Sequence, residues 1–231
     1  QDGMKGPLIS GSSIYQIGSQ PGHRPEELVF VLKSVVARYR SLRKMVIVQS
    51  YDVSKFFDKE MIEDAAIVCE KRGVDPKATR LWYKLNDKTK IRVRTGAGIS
   101  DPGEVGAVVG QGTIGGALVS QAVLDDAVTE HFPPGGELQL KYGSVPLAPF
   151  IFQDDLLNGA EGLEQAREAN KKVDNLFKQR GLELNEDKSV CLIFGNKKQK
   201  KILKKKIEES PLMCGHFETK EKDVEKWLGQ H

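Results

Sequence analysis

The stretch FIFQDDLL, residues 150 to 157, sets the hardest constraint on how this chain can fold. Two adjacent aspartates, Asp154 and Asp155, interrupt an otherwise apolar run. Burying such a pair is costly, because like charges repel and a low dielectric disfavours both ionised forms. The pair becomes tolerable at a strand end where a divalent cation sits between the carboxylates and a phosphate. Oxygen ligands suit Mg²⁺, which usually takes only one or two protein carboxylates. A site for two cations about 3.5–4 Å apart needs at least one more carboxylate from elsewhere in the chain.

The best candidate for that further carboxylate is Asp52. It follows MVIVQSY, a β-branched, apolar run from Met45 that reads as a buried strand. Two adjacent strands whose ends each present an aspartate would place Asp52 beside Asp154. Each signal taken singly has an ordinary explanation: a DD pair suits a hairpin turn, and Asp52 could cap the next segment.

The rest of the chain supplies mixed elements. Residues 1 to 23 are rich in Gly, Ser and Gln and read as loop with one short strand. PEELVFVLKSVVARYRSLRK opens on Pro25 with acids in its first turn and bases at its end. Its apolar residues recur at helical spacing. Asp58 to Arg72 reads as a second amphipathic helix stopped at Gly73, and PKATRLWYKLND, from Pro76, as a third. KIRVRT, from Lys90, alternates as a strand does. Gly96 to Gly116 reads as a Gly-rich loop, followed by a helix ending before Pro133. ELQLKYGSVPLAPFIFQDDLL reads as two strands, the second leading into Asp154 and Asp155. A long helix is expected from about Gly162 to Arg180, then GLELNEDKS as a turn into the strand VCLIF. A basic helix over 197 to 209 and a short tail strand complete the chain. Mixed strands and helices with at least one hairpin favour α+β over a doubly wound parallel sheet.

Composition narrows the class. In 231 residues, 39% hydrophobic and 29% charged, there is enough apolar surface for a core. The net charge of +3 says little, but its distribution says more: KKQKKILKKK, Lys197 to Lys206, holds seven lysines and ARYRSLRK, Ala37 to Lys44, four basic residues. Such density points to a polyanion, although solvated helix faces explain either run alone equally well. Cys69, Cys191 and Cys214 are far apart, without C-x-x-C spacing, which argues for a reducing compartment and against a structural zinc site. No run approaches the ~18 apolar residues of a membrane span, so a soluble, intracellular protein of cytoplasm or nucleus, with no membrane partner, is expected. The chain opens with Gln1, which suggests a piece of something longer.

Six motifs in order carry a family resemblance. QPGHRPEE (Gln20 to Glu27) resembles a Gln-x-Gly-Phe-Arg element, and YDVSKFFD (Tyr51 to Asp58) an aspartate followed five residues later by an aromatic. VVGQGTIGGALVS (Val108 to Ser120) resembles a Gln-Gly loop and helix, and FQDD (Phe152 to Asp155) an aromatic-x-Asp-Asp hairpin. GLELNEDKS (Gly181 to Ser189) resembles Gly-Leu-x-Leu-Asn-x-x-Lys, and WLG (Trp227 to Gly229) a primer-grip hairpin. Together, over roughly residues 16 to 229, these resemble the fingers and palm of reverse transcriptases from non-long-terminal-repeat retroelements and group II introns. Three departures stand out. His23 replaces the usual Phe, the Gln-Gly loop lacks the Ser-Pro that commonly follows it, and Gln153 is bulkier than the frequent Ala.

The resemblance implies an α+β polymerase palm, an antiparallel sheet backed by helices, with partial fingers and no thumb. Residues 1–44 would be partial fingers and 45–231 palm, with a fingers-derived insertion at about 74–107 and a primer-grip hairpin at about 211–229. The family's fingertip strands would precede residue 1, and the thumb would follow Gly229. Both would be supplied by the rest of a longer polyprotein or be absent. The resemblance also implies roles. Asp52 and Asp154 would bridge two Mg²⁺ ions, with Mn²⁺ as an alternative, Asp155 would be the auxiliary ligand, and the Val53 carbonyl would complete one shell. Phe57 resembles the gate that excludes a 2′-hydroxyl; the alternative is a core aromatic at helical spacing from Met61. Gln111 and Gly112 would support the base pair, and Arg24 would face the nucleotide or the template backbone. Lys188 would donate a proton to pyrophosphate; its alternative is an ordinary exposed lysine. Trp227, Leu228 and Gly229 would lie under the primer, and Lys197 and Lys198 would add backbone affinity without sequence reading. The implied partners are an RNA or DNA template with primer and deoxynucleoside triphosphates. Two further readings remain: a non-catalytic nucleic-acid-binding remnant, and a viral RNA-dependent RNA polymerase palm, against which Phe57 speaks.

Overall fold

The computed structural model describes residues 2–10, 12–13, 16, 22–54, 56, 61–87, 89–104, 115–133, 136, 140–143, 145–147, 149–152 and 155–222. The chain divides into two compact units, one of residues 1–12 and 55–124, the other of 13–54 and 125–231.

The second unit is built on a mixed sheet of order β14-β11-β1-β9-β8. Its strands are β1 (Val46–Ser54), β8 (Phe150–Phe152), β9 (Asp155–Ala160), β11 (Val190–Phe194) and β14 (Lys220–Glu221), with β10 (Glu183–Leu184) added to β1. Neighbours are antiparallel except β11 and β14. Side chains alternate along a strand, so β1 feeds two cores. Val46 and Val48 pack with Leu157, Leu192 and Phe194 beneath Leu28, Leu32, Val35 and Val36 of the Pro25–Ser41 helix. That helix has Pro25 at its start, Glu26 and Glu27 in its first turn and Arg38 and Arg40 in its last, all favourable to its dipole. On the other face Ile47 packs with Cys191, Ile193, Ala166 of the Leu163–Gln179 helix, and Leu203 of the Lys197–Glu209 helix. This is the α+β, palm-like architecture expected from the sequence.

Gly159 on β9 lies where Leu140 crosses it so closely that an added Cβ would overlap the leucine side chain. Only glycine admits that approach.

The first unit packs the Ile62–Lys71 and Pro76–Asn86 helices with the Gly116–Leu124 part of the Gly116–His131 helix around Val68, Cys69, Val74, Trp82, Val119 and Val123. Gly73, at a φ of 82°, ends the Ile62–Lys71 helix where a stop is expected.

Three expectations are corrected. Residues 2–10 form a helix, not loop, although Pro7 lies inside it. Leu8 is buried in the first unit's core, and Arg72 donates to the Leu8 carbonyl at 3.2 Å and the Ala122 carbonyl at 3.0 Å. Packing and a satisfied helix end override weak local propensity. KIRVRT is two short strands, β2 (Lys90–Ile91) and β3 (Arg94–Thr95). β2 pairs with β5 (Gly103–Glu104), and β3 with β4 (Gly98–Ile99), so part of the expected Gly-rich loop is strand. Every residue from Lys90 to Gly103 is exposed, so no core holds a longer strand straight. The segment up to Leu157 holds four strands rather than two. β6 (Leu140–Tyr142) and β7 (Val145–Leu147) form a hairpin turning near Gly143, at a φ of 66°, before β8 and β9.

Candidate active site

Asp52 lies near the end of β1, in register with Asp155 at the start of β9. Directly opposed residues on paired strands share a face, so the two carboxylates rise side by side. Their face is that of Val48 and Leu157, since side chains two apart on a strand point the same way. The Asp52 side chain is 19% exposed, and Asp155 is exposed. Opposed like charges weaken a strand pair by about 0.2–1 kcal/mol. The arrangement therefore costs stability where an apolar or neutral pair would contribute it.

The opposite edge of β1 delivers a lysine. β10 pairs Val53 with Leu184, and β11 pairs Ser50 with Val190. Between those pairs β1 has only Tyr51 and Asp52, whereas its neighbour runs through Asn185 to Ser189. The surplus residues bulge beside Asp52. The Asn185 amide donates to the Asp52 carbonyl at 2.8 Å, and the Asp52 amide donates to Ser189 Oγ at 3.4 Å. Lys188 Nζ stands 3.5 Å from Asp52 Oδ1, with its side chain 66% exposed. GLELNEDKS, expected as a turn, thus begins with a short strand that registers the lysine against the aspartate.

The face opposite Asp52 is anchored by a buried polar cluster the sequence reading passed over. Gln49 Nε2 and the Tyr51 hydroxyl both donate to Asn170 Oδ1 of the Leu163–Gln179 helix, the latter at 2.6 Å. Asn170 Nδ2 in turn donates to the Met213 carbonyl at 2.9 Å. Burial pushes the Tyr51 phenol well above its ordinary pKa. A glutamine inside MVIVQSYD was the available signal: a polar residue on a fully buried strand face needs a partner.

Other sequence-predicted residues are dispersed. Val53 is buried, on the face opposite Asp52. Arg24 is the exposed N-cap residue of the Pro25–Ser41 helix, next to the His23–Glu27 pair at 2.8 Å. Lys197 and Lys198 open a helix that packs on the sheet face away from Asp52. Asp154, Phe57, Gln111, Gly112, Trp227, Leu228 and Gly229 lie outside the described residues. Among the described residues no three His, Cys, Asp or Glu side chains cluster as metal ligands. The described part of the site therefore offers two carboxylates and one ammonium group, a set able to hold a divalent cation and to donate a proton.

A mixed sheet with helices packed on it and carboxylates on adjacent strand ends makes a palm-like domain. Comparison of the fold with solved structures agrees. Telomerase from Candida tropicalis, in complex with a TWJ fragment of telomeric RNA, aligns with a TM-score of 0.58 at 10% identity, over 78% of this chain and 30% of that one. Apo telomerase from the same organism aligns at 0.57 and 9% identity, over 80% and 34%. Telomerase from Candida albicans, with the same kind of RNA fragment, aligns at 0.55 and 11% identity, over 73% and 30%. The chain spans about a third of the length of these neighbours. At such identities the likeness is one of fold alone, shared with these telomerase structures. No family model matches the chain, and no curated protein matches it. Among the described residues, no helix is long and apolar enough to cross a membrane.

Proposed function

We propose that this chain carries the palm of a template-directed nucleotidyltransferase, an RNA-dependent DNA polymerase of retroelement type. The observation that carries the reading is the register of Asp52 against Asp155, with Lys188 brought to Asp52 by the neighbouring bulge.

The residues fit a divalent cation: opposed carboxylates supply the hard oxygen donors Mg²⁺ prefers, and a cation would relieve their mutual repulsion. Asp52, Asp154, Asp155 and the Val53 carbonyl would hold two Mg²⁺ ions, or Mn²⁺ in their place. Such ions lower the pKa of a primer 3′-hydroxyl and neutralise charge on departing pyrophosphate. The backbone bonds from Asn185 and to Ser189 fix the strand at Asp52, so its carboxylate is held before substrate arrives. Lys188, paired to Asp52 and exposed, donates the proton that pyrophosphate takes up on leaving. Phe57 selects deoxynucleotides, Gln111, Gly112 and Arg24 hold the incoming nucleotide, and Trp227 to Gly229 support the primer. The partners are a primed RNA or DNA template and deoxynucleoside triphosphates. The presence of RNA in two of the structural neighbours supports a nucleic-acid partner.

Primer extension on an RNA template with a DNA primer in Mg²⁺ tests this, with deoxynucleotides and ribonucleotides supplied separately. Extension with deoxynucleotides alone, lost in Asp52→Asn, is the expected result. Extension with ribonucleotides would replace the reading with an RNA polymerase. Salt-sensitive primer–template binding with no extension would replace it with a palm that grips and does not synthesise.

A further inference from the structure

The Lys197–Glu209 helix is charged against its own interest. Seven lysines fall in its first ten residues, and its first turn holds no acid. Cations near a helix N-terminus oppose the dipole, and like charges four apart, such as Lys197 with Lys201, repel. The helix forms nonetheless because Asn196 and Gln199 make a capping box and because Leu203 is buried against Ile47 and Ile193. Covering the sheet requires Leu203 and the partly buried Ile207 but none of the lysines at the N-terminal end. Acids at those positions would suit the helix dipole better.

Tertiary structure adds a second basic segment to the first. Gln199 Nε2 donates to the Arg43 carbonyl at 2.8 Å, across a sequence separation of 156 residues. Arg43 holds a φ of 55°, a left-handed turn that a non-glycine residue adopts at a cost. The end of ARYRSLRK is thereby held against the start of KKQKKILKKK. Lys44, Lys204 and Lys205 are neutralised by Glu161, Glu221 and Glu209. Arg43, Lys197, Lys198, Lys200 and Lys201 form no ion pair among the described residues, and all but the half-buried Lys200 are exposed.

The location separates this surface from the carboxylates. Leu203 packs on the Ile47 face of the sheet, whereas Asp52 and Asp155 share the Val48 face. The helix begins just after Phe194, which pairs with Val46, and Asp52 lies six residues further along β1, or about 20 Å at ~3.3 Å per residue. A lysine side chain does not span that distance and the thickness of the sheet.

The geometry points to Arg43, Lys197, Lys198, Lys200 and Lys201 as a second binding surface, for the phosphodiester backbone of a nucleic-acid segment other than the one whose end lies at Asp52. Closely spaced, unpaired cations match a backbone of regularly spaced phosphates, and their release of counterions makes binding salt-dependent and blind to sequence. That this surface binds a phosphodiester backbone does not rest on polymerase activity; that the segment is a second one rests on the proposed role of Asp52.

The test measures binding of the full chain to blunt labelled duplexes, RNA and DNA in separate arms, over a range of salt concentrations. Three proteins are compared: wild type; a variant with Lys197, Lys198, Lys200 and Lys201 all changed to Gln; and a charge-matched control with Lys33→Gln, Lys77→Gln, Lys84→Gln and Arg92→Gln. The four lysine replacements are expected to weaken binding at least about tenfold and to flatten the slope of log K against log salt by up to about 3.6 units, near 0.9 per lost phosphate contact. The control is expected to match wild type. Removing repulsion near the helix start should leave the thermal midpoint of the lysine variant equal or higher, which separates lost binding from misfolding. An unchanged slope in the lysine variant, or an equal loss in the control, overturns the proposal. So does competition by polyglutamate or phosphatidylserine vesicles as effective as duplex at equal charge, which would mark a general polyanion surface.

Discussion

Tyr51 and Asp52 are neighbours on one strand, and their surroundings answer polarity in opposite ways. Tyr51 points into the packed face, where its hydroxyl meets Asn170, which also takes Gln49 and holds Met213. Gln49 Nε2, the Tyr51 hydroxyl and Asn170 Nδ2 each find an acceptor, while Gln49 Oε1 has no partner among the described residues, and the cluster ties the Leu163–Gln179 helix and the Met213 segment to β1. Asp52 points to the other face, opposite a second carboxylate, with one exposed lysine at 3.5 Å. Buried polar groups satisfied within the protein serve stability and position. Opposed carboxylates at a strand end repel each other, and in the proposed function a bound cation relieves that repulsion. The two sides of β1 thus differ at this end: one sets where the strand lies, and the other carries the carboxylates of the proposed site.

Substitutions can separate the two sides. The largest effect is expected from Asp155→Asn, read in the extension assay: a fall in rate of about 100-fold or more, the scale of losing a directly acting group. Its urea midpoint should stay level or rise slightly, because the opposed negative charge is gone. A marked loss of stability would show that Asp155 is structural and would break the comparison.

Asn170→Ala should do the reverse. It strips partners from Tyr51, Gln49 and Met213 and is expected to cost about 2–4 kcal/mol in chemical denaturation. Activity per folded molecule should fall far less than in Asp155→Asn. Equal losses would mean the buried cluster acts on the reaction as directly as the carboxylates do.

Tyr39→Phe should be milder, at about 1–2 kcal/mol. The Tyr39 hydroxyl donates to Glu161 at 2.5 Å and accepts from the Lys141 amide at 3.1 Å, joining the Pro25–Ser41 helix to the sheet. The smallest effect is in its pH dependence. Burial, then Glu161, pushes the Tyr39 phenol from 10.0 up to about 12. A raised folded pKa gives stability that is fully present below the unfolded value and disappears as pH rises through the folded one. The stability gap between wild type and Tyr39→Phe should therefore be widest at neutral pH and close between pH 10.0 and about 12. Glu161 works at the other end. Burial raises its pKa, but hydrogen bonds from Tyr39 and Lys44 outweigh burial and leave it below its ordinary value of 4.5. Its contribution is present above that value and is lost as acid carries the pH down through its folded pKa. A gap unchanged from neutral to alkaline pH would show that Tyr39 acts by packing alone.

Much of the molecule is legible in its residues. The Pro25–Ser41, Leu163–Gln179 and Lys197–Glu209 helices and the β1 and β11 strands follow from periodicity, capping and β-branching, because each buries one continuous face whose spacing repeats along the chain. The aspartates, too, are visible where charge interrupts apolar runs. Tertiary structure alone decided the rest. The helix over 2–10 exists because Leu8 finds a core and Arg72 donates to the Leu8 carbonyl, and neither partner is near it in sequence. The short strands from Lys90 to Glu104 are set by their pairing, not by their alternation. The register that puts Asp155 rather than another residue opposite Asp52, the bulge that carries Lys188 to it, and the meeting of Arg43 with Gln199 all depend on contacts between distant segments. Local sequence records which face of an element is apolar; it does not record which residue of another element will lie across from it, since that is fixed only when the shared core closes.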